Sequence, residues 1–316
     1  VDDSLWQVLY QPGHHLQKIK GILSGFCRRF RILFLLHPYD YVFIHREASP
    51  LGPPLFEWLI AKVFRKKIIY DFDDAIWLPN TSEANQWVAR MKWHGKVSSI
   101  CWWAHKVSAG NRYLCDYALQ YNKSVVLNPT TIDTEGLHNR IKKVAASKKV
   151  VVGWTGTHST LPYLNELLPV MQSLEKQYDF EFCVIADQAP SWELRSLRFF
   201  PWKKETEITD LLRFDIGIMP LVDDRWAQGK CGFKALQYMA LGIPAIISPV
   251  GVNKEIVQEG SNGYMCRSPY DWEQALIKLF SDTELRTRLG AQARHTVENR
   301  YSVRANASNF LSLFDS

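Results

Sequence analysis

The chain has 316 residues, 47% of them hydrophobic and 22% charged, with 12 Trp. That length suits two domains of about 150 residues, each with its own core, and the composition excludes disordered and low-complexity classes. No apolar run approaches the roughly 18 residues of a membrane span, and six scattered Cys without a CxxC pair argue against a disulfide framework or structural zinc. No stretch reads as a signal peptide, so the expectation is a soluble, cytoplasmic, two-domain protein. The net charge of +6 is uneven, because residues 1–130 carry 16 Lys+Arg against 10 Asp+Glu while residues 131–316 carry 22 of each. Between Leu5 and Tyr39 stand Lys18, Lys20, Arg28, Arg29 and Arg31 and no acid. Such a segment suits an anionic partner, including a membrane's inner face, and a solvated helix face accounts for it equally.

In chain order, residues 14–36 read as a basic amphipathic helix in preference to a strand at RILFLL (31–36). YVFIH (41–45), KIIYDFD (67–73), VSAG (107–110) and SVVLN (124–128) read as strands, with helices at 53–66, 83–105 and 112–121 between them. This alternation is that of parallel α/β domains. Residues 129–147 read as a connector. The rhythm restarts with strands at 149–156, 180–187, 197–200, 215–221, 244–250 and 263–266. Helices are predicted at 161–177, near 205–213, 232–241 and 253–259, and at 270–281 and 283–299. The last stretch, 303–314, is an amphipathic helix beyond this pattern. About 40 residues precede the first convincing strand, so the N-terminal domain reads as lacking its opening strand–loop–helix unit.

Two places have the equipment to hold an anion. VVVGWTGTHST (150–160) puts Gly153 and Gly156 in a strand–helix turn, followed by Thr157, His158, Ser159 and Thr160. Free backbone N–H groups and the helix dipole make such a turn an anion site, although any βα turn can carry a glycine and a capping Thr. In the second, Gly229, Lys230, Cys231, Gly232, Phe233 and Lys234 lead into the helix ALQYMALG. Two glycines, two lysines and a helix start converge within six residues, as a diphosphate leaving group requires. The loop lacks the GK[ST] ending of a Walker A motif, and ordinary surface charge remains the alternative.

The segment 205–266, from ETEITDLLRFDIGIMPL through GKCGFKALQYMA to GSNGYMC, closely resembles the donor-binding half of glycosyltransferase family 4, the retaining GT-B enzymes, in their GKCGFK-type branch. NPTTIDTEG (128–136) resembles the opening of that domain, and 46–77 its acceptor-side partner. The resemblance implies two facing Rossmann-like domains, an acceptor-side one at 1–130 and a nucleotide-sugar-binding one at 131–302, with 303–316 returning to the first. It implies a donor site at Gly156, Thr157, His158, Trp202, Lys230, Cys231, Gly232, Phe233, Lys234 and Gln237. Many members carry two glutamates in an E-x(7)-E pattern, and Gly229 and Gln237 stand there instead.

Asp71, Asp73 and Asp74 end a strand, and DFD fits a metal-binding DxD pattern of a different glycosyltransferase fold. A metal role is discounted because the lysine-rich loop already supplies cation charge. Asp73 or Asp74 is instead a candidate to orient or deprotonate an acceptor hydroxyl, with turn capping as the alternative. Lys230 is the third catalytic candidate. The implied activity is metal-independent retaining transfer from a UDP- or GDP-linked sugar to a polysaccharide, lipopolysaccharide or lipid-linked acceptor, with no cofactor and no nucleic-acid partner. The competing reading is a non-catalytic GT-B-like scaffold that needs a partner subunit.

Overall fold

A computed structural model describes residues 15–49, 51–79, 93–143 and 149–315. The predicted helix over 83–105 and the predicted connector therefore lie partly outside the described residues. The chain forms two compact units, one ending at Gly110 and regaining Leu114–Leu127 and the residues from Leu313, the other comprising Asn111–Tyr113 and Asn128–Ser312.

The first unit opens with α1 (His15–Phe34), so the basic segment is helical and the first four residues of RILFLL are its last turn rather than a strand. Strands β1 (Tyr41–His45), β2 (Lys67–Phe72), β3 (Lys106–Ala109) and β4 (Val125–Leu127) form a parallel sheet in chain order. Helices α2 (Leu55–Trp58, continued by a π-helical Leu59–Val63), α3 (Lys96–Trp103) and α4 (Arg112–Leu119) connect them. Ile68, Ile69, Tyr70 and Phe72 on β2 are fully buried, the continuous apolar run expected of a strand covered on both faces. Phe314 rejoins this unit, its carbonyl accepting from the Tyr41 hydroxyl at 2.8 Å while the two rings meet edge to face.

The second unit holds β5 (Val150–Thr155), β6 (Phe180–Ala186), β7 (Leu197–Pro201), β8 (Ile216–Met219), β9 (Ala245–Ile247) and β10 (Gly263–Met265), all parallel, in the order β10-β9-β8-β5-β6-β7. The expected helix over 161–177 is a 3-10 turn, Leu161–Leu167, followed by α5 (Leu168–Leu174). Pro169 explains the break: it lacks the N–H that an uninterrupted α-helix would use there. Next come α6 (Glu207–Leu211), a short α7 (Arg225–Gln228) that the periodicity did not reveal, α8 (Phe233–Ala240) and α9 (Asn253–Ile256). The chain then builds α10 (Pro269–Ser281), α11 (Thr283–Arg300) and α12 (Val303–Leu311).

Both faces of this sheet are apolar. Val152, Trp154, Phe182, Val184 and Ile218 pack on one side, and Cys183, Ile185, Ala245 and Ile247 on the other. Gly153 and Gly217 face each other across β5 and β8. A Cβ at Gly153 would collide with the Phe214 ring, and one at Gly217 with the Tyr238 ring. The glycines thus open a window through which Tyr238 seats α8 directly on the sheet, its hydroxyl accepting from the buried Thr155 N–H at 3.0 Å.

Candidate nucleotide site at the switch point of the second sheet

From β5 the chain runs outward to β6 and β7 on one side, then returns to build β8, β9 and β10 on the other. Ligands of open α/β sheets bind at the carboxyl ends of the strands where the order reverses, here between β5 and β8. The Tyr238 anchor holds α8 against these two strands. At the start of α8, Gly232 has φ +72°, and a Cβ there would strike Ile256. Only glycine meets both demands.

The two sequence-predicted anion elements come together at this point. Gly156 lies against the far edge of the Trp154 indole, and the Lys234 ammonium sits 5.5 Å from the centroid of that same ring. The Lys230 ammonium is 5.8 Å from the Trp226 ring centroid. Cys231 is buried, with its sulfur 3.8 Å from the Gly229 carbonyl, whereas Phe233 is 48% exposed.

The turn after β5 departs from expectation. Its amides are engaged rather than free: Gly156 N–H donates to Ile185 O, Thr157 N–H to Thr160 Oγ1, His158 N–H to Asp187 Oδ1 and Thr160 N–H to Thr157 O. The physical reason is a capping carboxylate from the end of β6, together with a 3-10 rather than α-helical start. What the turn presents is side chains, with the Thr157 and Ser159 hydroxyls 2.8 Å apart and the half-exposed His158 ring 2.6 Å from Asp187 Oδ2. Burial would raise the Asp187 pKa, but the hydrogen bonds and charge of His158 outweigh it and hold the carboxyl below its usual range.

Trp202 and Gln237 also meet, through Glu207 on α6. Glu207 Oε1 accepts from Trp202 Nε1 at 3.2 Å and from Gln237 Nε2 at 3.3 Å. The Trp202 backbone N–H donates to Ala186 O, while its side chain is 44% exposed and Gln237 is 2% exposed. Asp187 carries no local signal, since His158 lies 29 residues away in sequence, and Glu207 joins Trp202, 5 residues away, to Gln237, 30 residues away.

In the first unit the predicted acceptor-side carboxylates are held by cations. Arg46 Nε donates to Asp73 Oδ1 at 2.9 Å, and Arg46 Nη2 to Asp74 Oδ2 at 2.7 Å. The neighbouring Asp71 accepts from Ser108 and lies 2.7 Å from His45 Nδ1. Asp73 and Asp74 therefore make an ion-paired cluster with Arg46.

A cavity of about 440 Å³ opens at the carboxyl ends of β8 to β10. It is lined by residues including Asp223, Ser248, Lys254 and Arg267, and none of the predicted donor residues borders it. Burial pushes the Cys183 and Cys266 thiols up to about 12, which removes both as thiolate nucleophiles near neutral pH.

Solved structures place this chain plan. It superposes on a glycosyltransferase from Rickettsia africae ESF-5 with a TM-score of 0.66 at 15% identity, covering 92% of this chain and 80% of that one. It matches Anabaena Alr3699/HepE, solved with UDP-glucose, with a TM-score of 0.63 at 14% identity over 90% and 81% of the two chains. The fold is that of the GT-B class, two parallel-sheet Rossmann-like domains. The model of the family "Glycosyl transferases group 1" matches residues 138–296, and the chain belongs to that family. Among curated relatives it is 35% identical over 80 residues to spore coat protein SA of Bacillus subtilis (strain 168), 24% of this chain and 21% of that protein. It is 26% identical over 136 residues to N-acetyl-alpha-D-glucosaminyl L-malate synthase of Bacillus anthracis, 42% of this chain and 34% of that protein. These matches thus span about a fifth and a third of the two relatives.

Proposed function

We propose that the chain is a retaining, metal-independent hexosyltransferase of glycosyltransferase family 4, in its GKCGFK-type branch. It would move a sugar from a UDP- or GDP-linked donor to a polysaccharide, lipopolysaccharide or lipid-linked acceptor. The observation that carries this reading is the meeting of Lys234, Trp154 and Gly156 at the switch point, beside the Gly232-capped start of α8. Residues 131–302 then act as the donor domain, 1–130 as the acceptor side, and 303–316 as the segment closing the chain. The UDP-glucose bound by the Anabaena neighbour and the glucosaminyl transfer named for the Bacillus anthracis relative support a nucleotide-sugar donor.

The chemistry follows from charge. As the sugar–phosphate bond breaks, negative charge grows on the departing diphosphate, and Lys230, Lys234 and the α8 amides stabilise that state more than the ground state. The lysines supply the cation charge, so no metal is needed. The incoming acceptor hydroxyl attacks from the face the diphosphate leaves. Asp73 or Asp74 orients that hydroxyl or takes its proton, once released from Arg46.

Thermal-shift screening against a panel of nucleotide sugars tests the reading. A ligand at 100 times its Kd adds about 2.7 kcal/mol of stability, and at least one uridine or guanosine diphosphate sugar should produce that shift. A flat panel would contradict it. A non-catalytic nucleotide-sugar-binding scaffold is favoured by Gln237 in place of a carboxylate and by the neutralisation of Asp73 and Asp74 by Arg46. Binding without any donor turnover would select that alternative.

A further inference from the structure

We infer that Asn111 is a positioning residue for the loop that carries Lys230: its buried carboxamide fixes two peptide planes of that loop in the orientation that receives a diphosphate. The inference rests on the nucleotide-sugar reading above and deepens it.

Asn111 stands between β3 and α4 in the chain, yet it belongs to the second unit together with Arg112 and Tyr113. It is 2% exposed, and its Nδ2 donates to Gln228 O at 3.2 Å and to Lys230 O at 3.0 Å. Between these two carbonyls, that of Gly229 accepts from the Cys231 thiol, with sulfur and oxygen 3.8 Å apart. Three successive carbonyls of the loop are therefore turned to side chains. Bridging two of them from one atom takes two hydrogens, which a carboxamide nitrogen carries. An ionised Asp presents only acceptors, and a Ser hydroxyl donates once.

The consequence for the loop follows from peptide planarity. In a trans peptide the C=O and the following N–H point in opposite directions, so a carbonyl fixed on Asn111 also fixes the N–H one residue on. The bond to Gln228 O sets the Gly229 amide, which donates to Trp226 O, and the bond to Lys230 O sets the Cys231 amide. The Lys230 N–H donates to Ala227 O, so the backbone of Lys230 is tied on both sides and its side chain leaves from a fixed point.

Gly229 and Gly232 give this stretch little steric resistance to rotation. Without Asn111, a reversed 230–231 peptide would put a carbonyl oxygen, repulsive to phosphate, on the face that now carries the Cys231 N–H. A loop that must be ordered by its ligand binds more weakly, and a lysine stabilises developing charge best when its backbone is already in place. Asn111 acts on the diphosphate through the loop, without touching it.

The test is a double-mutant cycle on the full chain, with the affinity for uridine and guanosine diphosphates measured by titration calorimetry. Lys230→Ala in the wild-type background should weaken binding about 10-fold or more, and Asn111→Ala about 10-fold. If Asn111 acts by aiming Lys230, the two effects are not additive, and Lys230→Ala should cost less than about 3-fold once Asn111 is Ala. Asn111→Asp, which keeps the shape and exchanges donors for acceptors, should weaken binding at least as much as Asn111→Ala. Asn111→Ser, with one donor left, should fall between Asn111→Ala and the wild type, and it replaces Asn111→Ala in the cycle should that variant not fold. Additive effects, or an Asn111 variant that binds like the wild type, would overturn the assignment of Asn111 alone. If the wild-type chain bound neither diphosphate, or Lys230→Ala left binding unchanged, the reading of this loop as the diphosphate site would fall and this inference with it.

Discussion

Lys230 and Lys234 approach the switch point differently. Lys234 rises from the first turn of α8 over Trp154, whereas Lys230 leaves the preceding loop beside Trp226. Each charge-assisted contact to the leaving diphosphate contributes about 1.5–3 kcal/mol, so Lys→Ala at either site should lower kcat/KM about 10- to 150-fold. The larger effect is expected at Lys230, whose loop position lets it follow the departing group, and steady-state kinetics of the two single variants check the order. A second residue-scale prediction concerns the seat of α8. Tyr238→Phe removes the acceptor of the buried Thr155 N–H and should cost about 1–3 kcal/mol, read from the urea midpoint at unchanged m-value. The lysines and glycines of this site were legible because loop chemistry is local. Glu207 and Asp187 were not, because their roles arise only when α6 meets α8 and β6 meets the β5 turn.

At the scale of elements, β-branched runs located the strands within a residue or two, except that β9 ends at Ile247, three residues before the expected 250. Helical periodicity was less decisive where Pro169 interrupted the ladder and at α7, which is too short to show a period. The basic N-terminal segment gains content from the structure. On α1, Leu33 is buried and Phe26 and Phe30 pack on Phe56, while Leu16, Leu23 and Phe34 are exposed, as are Lys20, Arg28 and Arg31. A core-packed helix whose solvent face is apolar and basic matches an interfacial helix on anionic lipid. No described helix is long and apolar enough to cross a membrane. We therefore expect the protein to cosediment with acidic vesicles, less so as salt rises, and to ignore neutral ones. Equal, salt-independent binding to both would remove the electrostatic account.

For the whole molecule, titration sets a pH window. Burial lowers the pKa of His138, and burial with Lys67 lowers that of His105, so protonating either opposes the fold. Their contribution is complete above the unfolded value of about 6.5 and is lost as pH falls through the folded values. A backbone hydrogen bond from Gly136 lowers Asp133, one from Arg267 lowers Asp271, and His158 lowers Asp187 against its burial. These carboxylates stabilise above about pH 4 and lose that contribution below it. Thermal melts should therefore show a plateau above about pH 6.5 and a decline in two stages. His138→Phe should flatten the first stage, and an unchanged profile in that variant would contradict the assignment.

The central claim is that the second unit holds a nucleoside diphosphate at the β5–β8 switch point through Lys230 and Lys234. The direct test is the affinity of the Lys230→Ala, Lys234→Ala double variant for uridine and guanosine diphosphates, measured beside the wild type at one ionic strength. Two lost charge-assisted contacts predict at least about 100-fold weaker binding at unchanged Tm. A double variant that bound the nucleotide as tightly as the wild type would contradict the account.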